Sequence, residues 1–388
     1  MKRTKIIWHI YFIGLIVFSF ACQKIKEPLM VKDISKKNIL INKIKIDSFY
    51  LKGDLFTSCV GELKCHKNML YFADRMFCAV YEYDKNGKFI EKRLSRGKGP
   101  REIWGLYYAL NLNKGYFVLD NSYNTFYFSN KWEKINNSRI DFNRVKNLKE
   151  LRKNPNPSDP GIYEIGYFTK EIRQIDSTHV LVPVNTSHPD LNAYFSNCET
   201  FYNECYILGM LNVTTGEIDS MFGRSPPVYL EKENIPNFRF VHYDVAKNKI
   251  YISYEADSSI YIYDKEHGYQ YKYGQKGINM NTNYTTTQDF KTAEKNYFSD
   301  RKKFGYYHYV EFIEETGLLF RGYKKGKHSN HSGLQIYQNN TLIADLSVPK
   351  DFKVIGYIKP YYYAQGTLDE INEKIQVYKF KLPKIDEL

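Results

Sequence analysis

Tyr83-Asp84-Lys85-Asn86-Gly87-Lys88-Phe89-Ile90, followed by Arg96-Gly97-Lys98-Gly99-Pro100-Arg101-Glu102, decides the fold of this 388-residue chain. The first stretch reads as strand, tight turn, strand. Asn86-Gly87 supplies residues that tolerate the positive φ a two-residue hairpin needs. Gly97, Gly99 and Pro100 then punctuate the exit from the second strand. If such a module recurs, the chain is a ring or stack of hairpins, and its function sits in the loops.

It does recur. Tyr71-Phe72-Ala73-Asp74, Val80-Tyr81-Glu82-Tyr83-Asp84-Lys85 and Gly97 match Tyr251-Ile252-Ser253-Tyr254, Ile260-Tyr261-Ile262-Tyr263-Asp264-Lys265 and Gly277 at a constant offset of 180. Looser copies centre on Phe128, Val213, Tyr337 and Tyr378. The six anchors are separated by 45, 85, 50, 74 and 41 residues. Repeats of 40–50 residues, two lengthened by insertions, suit four-stranded propeller blades. The insertions are Arg144–Gly161, basic and helical in pattern, and Asn279–Asp300, where Thr287 is placed to cap a helix running through Phe298. The composition, 16% aromatic with 36 tyrosines, fits pleated, half-buried surfaces and excludes a disordered chain.

The expected fold is therefore all-β: a six-bladed β-propeller of four-stranded antiparallel blades. An open ring leaves sheet edges unpaired, so the N-terminal strand Ile39–Ile46 is predicted to pair with Ile375–Leu382 and close the last blade. In that last strand Ile375, Val377 and Phe380 point inward. The domain assignment is residues 1–21 as a leader, 22–38 as a basic tether and 39–388 as one propeller.

Met1–Ala21 has a basic start (Lys2, Arg3, Lys5), an apolar run and a terminal Ala21-Cys22. That ending resembles a bacterial lipoprotein signal, which implies lipidation of Cys22 and a cell-envelope location on the outer membrane. Removing the three leader bases takes the net charge from +13 to +10. Bases scattered along an exported chain, rather than gathered in a stripe, speak against nucleic acid as a partner. Cys59, Cys65, Cys78, Cys198 and Cys205 remain; their spacings do not fit zinc sites, and they read as buried thiols or local bridges.

Tyr83–Lys88 and Gly97-Lys98-Gly99-Pro100-Arg101-Glu102 also carry a resemblance to six-bladed propeller lipoproteins of the TolB-like and NHL-like group from Gram-negative gut anaerobes. The second motif is similar to their Gly-x-Gly-Pro-Gly-Glu loop, with Arg101 in place of the third small residue. The resemblance spans residues 50–382 and implies the fold; it names no activity.

Three blade-to-blade loops pair glycine with a base: Arg96–Arg101, Gly223-Arg224 and Gly274–Gly277 with Lys276. Such links run towards the central axis. Arg96, Lys98, Arg101, Arg224 and Lys276 with the nearby Trp104 are thus the candidate ligand-binding set, for an anionic small molecule or a glycan. Tyr107, Tyr108, Tyr306, Tyr307, Tyr309 and Tyr361–Tyr363 are further candidates for stacking on sugars, although strand alternation sends about half of any such run into the core. His242-Tyr243-Asp244 and His188-Pro189-Asp190 set histidine near carboxylate without a nucleophile motif. His328 and His331 lack the Glu of a zincin. The reading calls for no catalytic residue, metal or cofactor. It leads to a non-enzymatic binding or scaffold module, its partners being the membrane through a lipid and a glycan, anionic small molecule or protein. A polysaccharide- or peptide-acting lyase or hydrolase in the same central pocket is the alternative.

Overall fold

A computed structural model describes residues 44–382 apart from 54–55, 143–147, 167–170, 187, 195–197 and 265–267. The leader, Cys22, the tether and residues 39–43 lie outside the described residues. Six antiparallel sheets form a six-bladed propeller. The inner strands are Gly61–His66 (blade I), Tyr108–Leu112 (II), Tyr163–Ile165 with Arg173–Gln174 (III), Val241–Ala246 (IV), Tyr306–Ile313 (V) and Lys353–Ile358 (VI). The repeat anchors Tyr83, Phe128, Tyr263, Tyr337 and Tyr378 all fall in third strands, and Val213 directly follows Leu208–Asn212, the third strand of blade III. The constant offset of 180 thus relates blades I and IV, opposite one another in the ring.

The opening hairpin forms as its residues dictate. The Asp84 carboxylate accepts from the amides of Asn86 (2.8 Å) and Lys88 (2.9 Å), and Gly87 takes φ +81°. A Cβ on Gly87 would lie 2.7 Å from the Phe49 ring, so glycine also lets the closing strand pass. That strand is Ile46–Tyr50, pairing antiparallel with Lys374–Phe380 from Ile46↔Phe380 to Tyr50↔Gln376. The closure is as expected, but the strand begins where Ile39–Ile46 was predicted to end. In Lys374–Phe380, Ile375, Val377 and Phe380 are buried.

The blades pack face to face, so each interface has its own apolar cluster. Leu63, Phe72 and Tyr81 meet Val377 between blades I and VI, while Leu334 and Ile336 meet Val354 and Phe380 between V and VI. Trp132, fully buried and stacked on Tyr116 at 3.9 Å, anchors the I–II cluster. Strands sandwiched on both sides read as continuous apolar runs, and Ala79–Tyr83 is buried throughout. Even Glu82 there is 1% exposed, its charge met by Arg93 at 2.8 Å.

The insertions depart in detail from expectation. The first holds a short helix, Leu148–Lys153, and a 3-10 turn, Pro160–Ile162. The second forms helix Phe290–Lys303, capped by Asp289, whose carboxylate accepts the Thr292 amide. Thr287 is instead buried, its amide bonded to the Asn234 carbonyl. Asp289 caps because its carboxylate accepts the Thr292 amide and its negative charge complements the helix dipole. The five described cysteines beyond the tether are all free thiols. Among the described residues no helix is long and apolar enough to cross a membrane.

Candidate functional site

The inner strands surround the axis, and two cavities open along it. The upper, about 360 Å³, is bounded by the starts of the inner strands of blades IV to VI and by helix Phe290–Lys303. The lower, about 600 Å³, lies among the inner hairpins and includes His66, Asn111, Lys114, Arg173, Asp244 and Lys247.

Between them runs a chain of buried and half-buried charges. Lys353 Nζ is 2.9 Å from Glu62 Oε1 and 3.5 Å from Glu171 Oε1. The His242 ring stands between two carboxylates, Nδ1 being 3.7 Å from Glu171 and Nε2 3.7 Å from Glu255. Arg301, from the last turn of the inserted helix, grips Glu255 with both Nη atoms at 2.9 and 2.7 Å. The chain therefore joins blades VI, I, III and IV to the helix. Below it, Arg173 binds Asp244 at 3.0 Å and Glu311 at 2.6 Å, and Lys64 rests 3.6 Å over the Tyr108 ring.

This arrangement separates the carboxyls into two kinds. Burial opposes ionisation of Glu171, but Lys353 and His242 outweigh it and hold its pKa well below the ordinary range. Glu255 is held low in the same way against burial by Arg301, and Glu62 by Lys353 and Lys64. Asp244 and Glu311 go the other way: burial raises both, and the shared Arg173 offsets only part of it. The histidines also diverge. Burial disfavours a charged His242, but Glu171 and Glu255 more than compensate, so its pKa is raised. His308, buried among Lys324, His242, Lys353 and Arg301, is pushed well below its ordinary value. Its Nδ1 finds no hydrogen-bond partner among the described residues.

The upper cavity thus presents Arg301, Lys324 and Lys353 together with two carboxylates, Glu255 and Asp351, the latter 2.8 Å from Lys324 Nζ, and the His242 ring. Phe240, Tyr297, Tyr306 and Tyr309 supply aromatic walls. Among the described residues no group of His, Cys, Asp and Glu is arranged to hold a metal ion.

The six residues expected to bind ligand lie elsewhere on the structure. Arg96 is exposed and donates to the Met76 carbonyl at 2.7 Å; Arg101 reaches the Lys131 carbonyl at 3.4 Å. Lys98 sits 5.4 Å over Trp104, itself 63% exposed. Their loop is closed by Glu102, which accepts the Gly99 amide at 2.8 Å. Arg224 packs 3.6 Å over Tyr206, and Lys276 is exposed. The structure brings Arg96, Lys98, Arg101 and Trp104 together on the link between blades I and II, and none of the six lines either axial cavity. Of the tyrosines, Tyr306 and Tyr309 do line the upper one, whereas Tyr108 and Tyr307 are core. His188 bonds to the Arg152 carbonyl, away from the axis.

No family model matches the sequence, and no curated protein is similar to it. Solved structures are similar in fold. A member of the DUF4221 family from Bacteroides vulgatus aligns with a TM-score of 0.63 at 12% identity, over 87% of this chain and 98% of its own. A protein from Bacteroides fragilis, named as a candidate exported protein, aligns with a TM-score of 0.52 at 14% identity, over 87% and 96%. At these identities the likeness establishes the propeller and nothing about activity.

The sequence did hold a signal for the axial charges. Glu62-Leu63-Lys64, Glu171-Ile172-Arg173 and His242-Tyr243-Asp244 each alternate charge, buried apolar, charge on an inner strand or, for the second, at its entry. The first and third are related by the same offset of 180.

Proposed function

We propose that this chain is a lipid-anchored, extracytoplasmic propeller that binds a small hydroxyl-bearing anion, such as an acidic sugar, in its upper axial cavity. The observation that carries the reading is the lining of that cavity. Arg301, Lys324 and Lys353 face that cavity, each also paired with a carboxylate (Glu255, Asp351 and Glu62), beside aromatic walls suited to a sugar face, and the His308 imidazole is kept neutral for hydrogen bonding. The leader ending in Ala21-Cys22 supports an envelope location, and the Bacteroides fragilis protein of the same fold carries a name consistent with export.

A hydrolase would need a carboxyl with a raised pKa to protonate a leaving group. Glu255, beside the upper cavity, is held ionised by Arg301, which favours binding over hydrolysis. The raised carboxyls, Asp244 and Glu311, are both engaged by Arg173.

Calorimetric titration with glucuronate, galacturonate and inorganic phosphate tests the proposal. Binding is expected to weaken with salt and to fall tenfold or more in Lys324→Ala, the loss of one charge-assisted contact. Arg96→Ala with Lys98→Ala should leave it unchanged. Absence of heat with all three anions, or affinity indifferent to Lys324→Ala, would overturn the assignment.

A further inference from the structure

The loop that bears Arg96, Lys98, Arg101 and Trp104 takes no part in the axial cavities, yet it helps to build a surface of its own. Asp74 is fully buried and accepts from the Thr57 hydroxyl (2.9 Å), the Ser58 amide (2.7 Å) and hydroxyl (2.6 Å), and the Phe77 amide (2.9 Å). One carboxylate thereby holds the Phe56 segment beside the Met76–Phe77 turn. The bond from Arg96 to the Met76 carbonyl sets the basic loop against the same turn.

The result is a rim with Phe56 77%, Met76 55%, Phe77 43% and Trp104 63% exposed. Arg75, Arg96, Lys98 and Arg101 are interleaved with them. Both carboxylates described within the rim are turned to backbone amides, Asp74 as above and Glu102 towards Gly99. The acidic turn of blade VI, with Asp369 and Glu373 near Cys59, bounds the rim on its other side.

Exposed large apolar side chains gathered in one place mark an interaction surface. The mixture here narrows the occupant. Aromatic rings settle at the headgroup level of a bilayer, and each lysine or arginine near an anionic surface adds attraction. The course of the chain agrees. The ring is entered at Ile46 in blade VI, next to blade I, and the 22 residues between Cys22 and Lys45 can span up to about 75 Å. A lipid at Cys22 would leave this rim free to reach the same membrane. We infer that the Phe56–Met76–Phe77–Trp104 rim is a docking surface for anionic phospholipid bilayers, seating the loops on this face of blades I and II on the membrane.

Residues 23–388 contain every strand of the propeller, and their tryptophans are Trp104, in the rim, and Trp132, fully buried. Trp104 emission should therefore shift to the blue with phosphatidylethanolamine–phosphatidylglycerol vesicles and be quenched by brominated phosphatidylglycerol. Phosphatidylcholine vesicles should produce neither effect. Lys98→Gln and Arg101→Gln should each weaken vesicle partitioning about fivefold, the effect of one interfacial charge. Unshifted Trp132 emission checks that these variants are folded. The inference fails if the vesicles cosediment with the protein while Trp104 stays unshifted, as attachment through the basic tether alone would produce. It fails equally if the shift survives replacement of Arg96, Lys98 and Arg101 together by glutamine. Neither outcome depends on the lipid at Cys22 or on ligand binding in the axial cavity.

Discussion

The axis of the ring and the Gly97–Glu102 loop both carry conspicuous charge, but they use it in opposite ways. On the axis, Glu62, Lys353, Glu171, His242, Glu255 and Arg301 are partly or wholly withdrawn from water and compensate one another at 2.7 to 3.7 Å. In the loop, Arg96, Lys98 and Arg101 remain solvated, and their contacts among the described residues are to carbonyls or a ring face. A charge out of water depends on its partner for its existence as an ion, whereas a solvated one does not. The axis is therefore where a single substitution propagates, and the loop is where substitutions are tolerated unless a partner surface reads them.

The largest effect should come from Lys353→Met, which strands Glu62 and Glu171 without their shared cation. Breaking a half-buried network of this kind costs up to roughly 3–5 kcal/mol, read as a lowered urea midpoint at unchanged slope. The pH dependence sharpens the contrast. Folded Glu62, Glu171 and Glu255 have depressed pKa values, so their stabilisation is present above the ordinary carboxyl range and is lost as pH falls through the folded values. The gap between wild type and Lys353→Met should thus narrow from pH 7 to pH 3. A constant gap would mean that the lysine acts through packing alone.

The closing strand should give the next largest effect. Deleting residues through Tyr50 exposes the edge of Lys374–Phe380 and should lower the melting temperature by many degrees more than deletion through residue 43. Equal melting temperatures for the two truncations would contradict closure by Ile46–Tyr50.

In the loop, Gly97→Ala should cost about 1–3 kcal/mol. Gly97 has φ +152°, and an added Cβ would lie 2.1 Å from the Glu102 carboxylate that closes the turn. Lys98→Ala, a few ångströms away but solvated, should stay within about 0.5 kcal/mol in the absence of membranes. If the two substitutions were equally costly, the loop would share the interdependence assigned here to the axis.

The fold was legible because hairpin chemistry and strand alternation are local. Asn86-Gly87, the repeat of Tyr71–Gly97 at Tyr251–Gly277 and the alternation of Ile375, Val377 and Phe380 each depend on near neighbours in sequence. The site was less legible because its members come together only when the ring closes. Glu62 and Lys353, in contact at 2.9 Å, are 291 residues apart. Arg301 arrives from an insertion whose helix start the sequence placed at Thr287 rather than Asp289. The basic glycine loops drew attention because their residues are adjacent in the chain. Adjacency in sequence is a property of turns, and convergence on an axis is a property of the closed fold. The alternating pair Glu62/Lys64, matched by His242/Asp244 one half-ring away, was the local trace of the axis.

Histidine imidazole signals offer the most direct test of the central claim, because the cavities carry different histidines. His242 and His308 line the upper cavity and His66 the lower. Titration with glucuronate followed by histidine-selective NMR should move the His308 and His242 resonances saturably, leave His66 in place and lose the effect in Lys324→Ala. Saturable movement of His66 with His242 and His308 unmoved would contradict the upper axial cavity as the binding site.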